Sequence, residues 1–207
     1  MRDKMIRRGL LLVVSGPSGA GKGTICKALL ERHPEINISV SATTRQPRNG
    51  EVDGINYHFL TKDDFVEKLS EDGFFEHAQV YDNYYGTPKK FVIDKLAAGE
   101  DVLLEIDIQG AMQVRDKYPE GIYLFVLPPS MSELKNRIIK RGSETQESLE
   151  KRFSSAFKEI DFIKKYDYYI INDDLERAVT TLENIIHAEK HRVVEDMANI
   201  IAGIKEI

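Results

Sequence analysis

The chain lacks the features that mark secreted and membrane-spanning proteins. Its 207 residues contain a single cysteine, Cys26, which excludes a framework of internal disulfides and is expected to pack as a small apolar side chain on a helix. No apolar stretch is long enough to span a bilayer. Residues 1–8 carry basic side chains ahead of an apolar run, as in a signal peptide, but that run is about half the usual length. We therefore expect a cytoplasmic protein.

An excess of positive charge is also missing. The chain has 29 Lys and Arg residues against 34 Asp and Glu, which gives a net charge of −5 at pH 7. This balance argues against a polyanion such as DNA, or an acidic membrane, as the main partner. A small anionic ligand needs only local positive charge. With 42% hydrophobic residues and no internal repeat, the chain can bury the core of one compact domain.

Short apolar runs alternate with stretches that have helical character. Strands are predicted at residues 10–14, 36–40, 102–106, 122–127 and 168–171. Helices are predicted at residues 21–32, 61–70, 88–98, 108–117, 130–140 and 144–165, and from residue 174 onward. This alternation is typical of parallel strands joined by helical crossovers, so we predict an α/β fold with a central parallel sheet.

Two regions interrupt the alternation. Residues 41–87 are rich in Thr, Arg, Gly and Tyr and are interpreted as a small β-rich lobe with one helix. Residues 137–166 begin with several basic side chains and continue into a polar helix, as a mobile lid does. The core of the single domain is then expected to consist of residues 1–40, 88–136 and 167–207.

A glycine-rich segment follows the first predicted strand and leads into a helix. Its spacing lets backbone N–H groups point at a phosphate, with the helix N-terminus behind them and one lysine reaching the outer phosphates. A flexible glycine turn is the alternative, but strand, spacing, lysine and helix agree with the phosphate loop. The expected nucleotide-binding residues are Gly16, Pro17, Ser18, Gly19, Ala20, Gly21, Lys22, Gly23 and Thr24.

One position departs from the phosphate-loop pattern. The pattern has a hydroxyl directly after the lysine to bind magnesium, but Gly23 stands there and Thr24 comes one place later. One residue further along a helix is about 100° further round it, so Thr24 is not expected to take over the same role.

Two arginines and several carboxylates carry the remaining chemistry. Arg45 and Arg48 lie three apart on a proline-containing loop, and a guanidinium is suited to forked recognition of phosphate. Glu105 and Asp107 lie two apart at a strand end, where ligands bind in parallel sheets. A solvated basic loop remains the alternative for the arginines, and structural salt bridges remain the alternative for the carboxylates.

A switch GTPase is the rival interpretation of the acidic segment. Residues 107–110 fit its D-x-x-G element. The N-K-x-D element that recognises guanine in those proteins is absent, because the nearest string, from Asn172, lacks the lysine. We therefore discount this alternative.

Taken together, these segments resemble the guanylate kinase family over nearly the whole chain. The family loop G-P-S-G-x-G-K corresponds to residues 16–22, and its signature T-[ST]-R-x-x-[KR]-x-x-[DE]-x-x-[GA]-x-x-Y-x-[FY] is matched throughout residues 43–59. The motif N-Y-Y-G-[ST], the acidic D/E-I-D-x-Q-G and the lid motif R-x-x-x-R-G-[ST] follow at residues 83–87, 105–110 and 137–143. The resemblance implies a three-layer P-loop kinase fold with an inserted GMP-binding lobe and a helical lid. It also implies phosphoryl transfer from ATP to GMP, with Mg²⁺ as the cofactor.

The resemblance further assigns roles to individual residues. The GMP site would comprise Ser41, Arg45, Arg48, Tyr57, Glu76, Tyr85, Thr87, Glu105 and Asp107. Asn172 would join the ATP site. The catalytic residues would be Lys22, Arg45, Arg137, Arg141 and Arg152. Guanine offers N–H donors that suit carboxylates, whereas adenine would leave buried groups unpaired, which can reject the wrong base by about 10⁴-fold.

Magnesium is expected to be held by ATP oxygens and water, with Glu105 or Asp107 in the outer shell and no direct protein ligand assigned. The expected partners are ATP and GMP, without nucleic acid or membrane, and a homo-oligomer remains possible. Two alternatives stay open at this point. One is a guanylate-kinase-like module that binds partner proteins without catalysis, and the other is a monophosphate kinase for another base.

Overall fold

The computed structural model describes residues 8–80, 82–140, 146–193, 201 and 205, with the side chains of residues 140 and 146–152 left aside. Strands and helices alternate along most of this part of the chain. In chain order the elements are β1 Leu11–Ser15, α1 Lys22–Arg32, β2 Asn37–Ile38, β3 Ala42–Thr43, β4 His58–Phe59, α2 Lys62–Ser70, β5 Phe74–Val80, β6 Asn83–Pro88, α3 Lys89–Ala97, β7 Val102–Glu105, α4 Ile108–Lys117, β8 Ile122–Leu127, α5 Met131–Lys140, α6 Gln146–Glu159, a 3-10 helix Ile160–Lys165, β9 Tyr168–Ile171 and α7 Leu175–Lys190.

A five-stranded parallel sheet forms the centre of the molecule, in the order β2-β7-β1-β8-β9. The middle strand β1 is buried on both faces, as expected for a parallel sheet covered by helices. Leu12 and Val14 pack with α1 and α7 on one face, whereas Leu11 and Val13 pack with α3 and α4 on the other. The predicted α/β fold with a central parallel sheet is confirmed.

The first helix supplies much of the packing on one face. Ile25, Cys26 and Leu29 of α1 are fully buried in the cluster that covers the sheet. The expectation that Cys26 packs as an apolar side chain is confirmed. Among the described helices, none is both long and apolar enough to cross a membrane.

A second, four-stranded sheet has the order β4-β3-β6-β5 and carries α2. Phe65 of α2 stacks on Phe74 of β5, with ring centroids 4.4 Å apart, which ties the helix to this sheet. The sheet is joined to the main body by α4, because Gln113 exchanges hydrogen bonds of 3.2 and 3.1 Å with the backbone of His77.

Two predicted elements differ from those observed. The strand expected at residues 36–40 pairs only over Asn37–Ile38, because β2 is a short edge strand beside β7. The helix expected at residues 144–165 is two elements, since α6 ends at Glu159 and a 3-10 helix follows. The other predicted strands of the central sheet and the other helices agree to within one residue at each boundary the structure describes.

Candidate active site

The glycine-rich loop lies where the central strand β1 ends and α1 begins. Gly21 adopts a left-handed conformation with φ of 94° and stands directly before the helix. A Cβ at this position would lie only 2.1 Å from Nδ2 of Asn172, so no other residue fits without a shift. The Asn172 side chain donates to the carbonyl of Ala20 at 2.8 Å. Asn172, expected near ATP, therefore holds the backbone of the loop.

Lys22 is folded into the loop. Its ammonium group donates to the carbonyls of Gly16 at 2.6 Å and Pro17 at 3.2 Å. Burial lowers the pKa of Lys22, while Glu105 and Glu159 act in the opposite direction. The charge of Lys22 is thus held at the loop by the loop carbonyls and by nearby carboxylates.

The structure shows which side chain lies next to Gly23, the position at which the loop pattern has a hydroxyl. A Cβ at Gly23 would lie 3.2 Å from Oε1 and 3.4 Å from Oε2 of Glu105. Glu105 is the last residue of β7 and is exposed. A carboxylate therefore lies beside the position that a loop serine would occupy. Thr24 is exposed on α1.

Arg137 of α5 already lies against the loop. Its Nη2 donates to the carbonyl of Asn172 at 3.0 Å and its Nη1 to that of Ala20 at 3.4 Å, while Nε bonds Glu133 at 3.0 Å. This arginine therefore needs no large movement to reach the loop. Arg141 lies outside the described residues, as does the side chain of Arg152.

The lobe brings one arginine and two tyrosines together. The Tyr57 and Tyr85 rings meet edge to face with centroids 6.1 Å apart. The guanidinium carbon of Arg45 lies 5.3 Å from the centroid of the Tyr57 ring. The charge of Arg45 is matched by Glu51, through two hydrogen bonds of 2.8 and 2.9 Å. The side chain of Arg48, in contrast, is exposed.

Glu76 of β5 is a buried carboxylate, 7% exposed. Its Oε1 accepts a hydrogen bond of 2.7 Å from the hydroxyl of Thr87. Burial raises the pKa of Glu76, and the bond from Thr87 partly opposes that shift while the charge of Asp107 adds to it. The charged form of a buried carboxylate is stabilised by hydrogen-bond donors, which a ligand can bring.

Asp107, which is expected in the GMP site, has a structural role in the fold. It is the N-cap of α4, and its Oδ1 accepts the backbone N–H of Gly110 at 2.7 Å. Ser41 is half-buried beside β3, and its carbonyl accepts the N–H of His58 at 2.9 Å.

Two acidic residues at the site were given no role from the sequence. Glu51 matches an acidic position of the lobe signature, six residues after Arg45, and this match is the signal that could have found it. Glu159 is the last residue of α6. Partial burial raises its pKa, and Lys22 and the N–H of Ser18 oppose part of that shift. No local pattern in the sequence marks Glu159, because its proximity to the loop depends on how α6 packs.

The fold and the loop together define a class. The central strand of a parallel sheet leads into a glycine-rich loop, a half-buried lysine and a helix. This arrangement is typical of proteins that bind nucleotide phosphates through a P-loop.

Comparison with known proteins narrows the class. A family model described as guanylate kinase matches residues 8–189. A guanylate kinase of Clostridium perfringens (strain SM101 / Type A) is 62% identical over 194 residues, which cover 94% of this chain and 90% of the relative. A guanylate kinase of Clostridioides difficile (strain 630) is 55% identical over 201 residues, covering 97% and 98%. The crystal structure of guanylate kinase from Anaplasma phagocytophilum superposes with a TM-score of 0.74 at 34% identity, covering 92% of this chain and 91% of that one. The chain belongs to the guanylate kinase family.

Proposed function

We propose that the protein transfers the γ-phosphoryl group of ATP to GMP, and to dGMP, yielding ADP and the guanosine diphosphate. Family membership supports this proposal. The observation that carries it is that the connection from β7 to α4 touches both regions: a Cβ at Gly23 of the phosphate loop would lie 3.2 Å from Oε1 of Glu105, and a Cβ at Gly110 would lie 3.0 Å from Oε2 of Glu76. The loop and the buried lobe carboxylate therefore flank one short segment, as transfer between two bound nucleotides requires.

On the donor side, Lys22 and the loop amides would hold the ATP phosphates. Phosphoryl transfer asks little covalent chemistry of a protein, because catalysis depends on in-line positioning and on stabilising the developing charge. The position of Arg137 against the carbonyls of Ala20 in the loop and of Asn172 supports a role beside the transferred group. Arg141 and Arg152 would complete the charge on a lid of residues 137–166, whose closure excludes the water that would hydrolyse ATP.

On the acceptor side, the cluster of Arg45 with two tyrosines supports binding of the GMP phosphate. The proposed phosphate ligands are Arg45, Arg48, Tyr57 and Tyr85. The buried carboxylate supports recognition of guanine, whose N1–H and amino group are donors on one edge. The proposed base ligands are Ser41, Glu76, Thr87 and Asp107.

Mg²⁺ is proposed to bind together with ATP. The electrostatic neighbours of Lys22 include Glu105 and Asp107, and carboxylate oxygens are donors that this cation prefers. Gly23 leaves the face of α1 beside Glu105 without a side chain, so the residues present fit a hydrated cation. Glu105 and Asp107 would hold its water ligands, and the metal would supply neutralisation of phosphate charge.

A cytoplasmic location is part of the proposal, and the single cysteine, which fits a reducing compartment, supports it. Neither a non-catalytic binding module nor a kinase for another base is favoured by a feature of the site.

An assay of ADP release with ATP, Mg²⁺ and a panel of GMP, dGMP, AMP, CMP and UMP tests the proposal. We expect turnover with GMP and dGMP. A preference for AMP would contradict the base assignment, and no turnover with any acceptor would favour a binding module.

A further inference from the structure

The ion pair between Arg45 and Glu51 uses one particular edge of the guanidinium. Nη1 donates to Oε2 of Glu51 at 2.8 Å and Nη2 donates to Oε1 at 2.9 Å, so the carboxylate meets the end of the fork. Nη1 also donates to the carbonyl of Gln46 at 2.8 Å. Both hydrogens of Nη1 are therefore engaged, together with one hydrogen of Nη2.

The donors that remain lie on a different edge. A guanidinium has one hydrogen on Nε and two on each Nη. Neither Glu51 nor Gln46 uses the Nε hydrogen or the second Nη2 hydrogen, and these two point in parallel from the side of the group. A side-facing pair of parallel N–H donors is an arrangement that grips two oxygens of a phosphate.

The surroundings hold this orientation. The Arg45 and Glu51 side chains are only 14% and 19% exposed. One face of the guanidinium is near the aromatic rings of Tyr57 and Phe59, at 5.3 and 5.9 Å from their centroids. The hydroxyl of Tyr85 is a further partner, and it adds to the effect of Glu51 in raising the pKa of Arg45.

The carboxylate is itself fixed. Oε2 of Glu51 accepts the backbone N–H of Arg48 at 2.7 Å, in addition to its bond with Arg45. These bonds lower the pKa of Glu51 to about 2, so the carboxylate is ionised at neutral pH. The loop backbone thus fixes the carboxylate, and the carboxylate fixes the arginine.

We propose that Glu51 is a positioning residue that turns the Nε and Nη2 edge of Arg45 toward the acceptor phosphate. The inference rests on the proposed function, which makes Arg45 a ligand of the GMP phosphate. The two edges of the guanidinium are separate, so the phosphate binds while the ion pair stays intact.

An alternative role for Glu51 predicts the opposite change in GMP affinity. If Glu51 occupied the phosphate position in the absence of GMP, removing its charge would free Arg45 and tighten GMP binding. If Glu51 orients Arg45, the same change lets the guanidinium turn and weakens GMP binding.

The test compares Glu51→Gln, Glu51→Asp and the control Glu71→Gln, which alters an exposed carboxylate at the end of α2 in the same lobe. GMP affinity is measured by calorimetry, and guanosine affinity is measured as competitive inhibition against GMP. We expect Glu51→Gln to weaken GMP about tenfold while leaving the guanosine inhibition constant and the KM for ATP unchanged. Glu51→Asp keeps the charge and should recover part of the loss, and Glu71→Gln should match the wild type.

Three results would overturn the inference. They are tighter GMP binding by Glu51→Gln, equal weakening of GMP and guanosine, and unchanged GMP affinity. The second would indicate a general structural role for the loop. Repeating Glu51→Gln in an Arg45→Lys background sharpens the test, because the second change should then add little to the first. If the wild type neither binds GMP nor phosphorylates it, the proposed function has failed rather than this inference.

Discussion

The phosphate loop and the lobe present their ligand-binding groups in different ways. The loop is one contiguous segment, residues 16–24, and its expected donors are backbone N–H groups with a single lysine. The lobe gathers side chains far apart in the sequence, such as Arg45, Glu76 and Tyr85, onto a four-stranded sheet.

This difference explains why the lobe, and not the loop, can distinguish one base from another. Every nucleotide has phosphates and almost every residue has a backbone N–H, so the loop defines a class of ligand without selecting a base. A base is recognised only by side chains whose donors and acceptors match its own. A buried carboxylate such as Glu76 favours a base edge that carries N–H donors. Chemistry should therefore depend on the loop, and substrate identity should depend on the lobe.

The largest expected effect is in the loop. Lys22→Ala should reduce turnover by at least about 10²–10³-fold, because it removes the positive charge proposed to stabilise the transferred phosphoryl group. GMP binding, measured by calorimetry, should stay close to that of the wild type. Lys27→Ala changes an exposed lysine of α1 and is the matched control. Loss of GMP binding in Lys22→Ala would mean that the two regions do not act separately.

The corresponding change in the lobe is Glu76→Gln. The substitution replaces one of the two carboxylate oxygens with an NH2 group, which would face the N–H donors of guanine. GMP affinity should therefore fall by about 10- to 100-fold. The KM for ATP should not change. Glu67→Gln, on the exposed side of α2, is the control. Unchanged GMP kinetics in Glu76→Gln would remove this residue from the base pocket.

The raised pKa of Glu76 adds a dependence on pH. As the pH falls through that pKa, the carboxyl group takes up a proton, so it loses its charge and one of its oxygens becomes a donor that faces the donors of guanine. GMP affinity should therefore fall toward acid. Calorimetric titrations across the acidic range check this in the wild type and in Glu76→Gln, whose affinity should be less dependent on pH. Equal pH dependence in both proteins would assign the effect to another group.

The smallest expected effect concerns magnesium. Gly23→Ser places a hydroxyl beside the Glu105 carboxylate, where it can replace a metal-bound water, and should lower the Mg²⁺ concentration for half-maximal rate by less than about tenfold. Thr24→Ala is the paired variant, measured as nucleotide-dependent binding of Mn²⁺ as well as by rate. A large rise in the metal requirement of Thr24→Ala would show that Thr24 has taken over the role of the missing serine.

The sequence predicts the central sheet well and the lobe in outline only. β1, β7 and β8 are continuous apolar runs because both of their faces are covered, and such runs are visible in one dimension. The edge strand β2 was predicted too long, since its pairing depends on a neighbour and not on its own residues. The short strands β3 and β4 carry too few residues for a period of two to be recognised.

The site, like the fold, could be predicted from the sequence in part. The local spacing of the loop predicts its fold, and the structure adds that Asn172 and Arg137 hold the Ala20 carbonyl from distant parts of the chain. The residue types of the lobe indicate a phosphate site at Arg45 and Arg48, whereas the base ligands are assigned through the resemblance. The pairing of Arg45 with Glu51 could not be predicted, because the residue types in a loop do not indicate which N–H groups of a guanidinium a neighbouring carboxylate contacts.

The central claim is that the lobe selects guanine for the chemistry of the loop, and one ratio tests it most directly. The values of kcat/KM for GMP and for AMP, with ATP and Mg²⁺ held constant, should differ by at least about 10⁴-fold in favour of GMP. Comparable values for the two acceptors would contradict the account, whatever the rate of phosphoryl transfer.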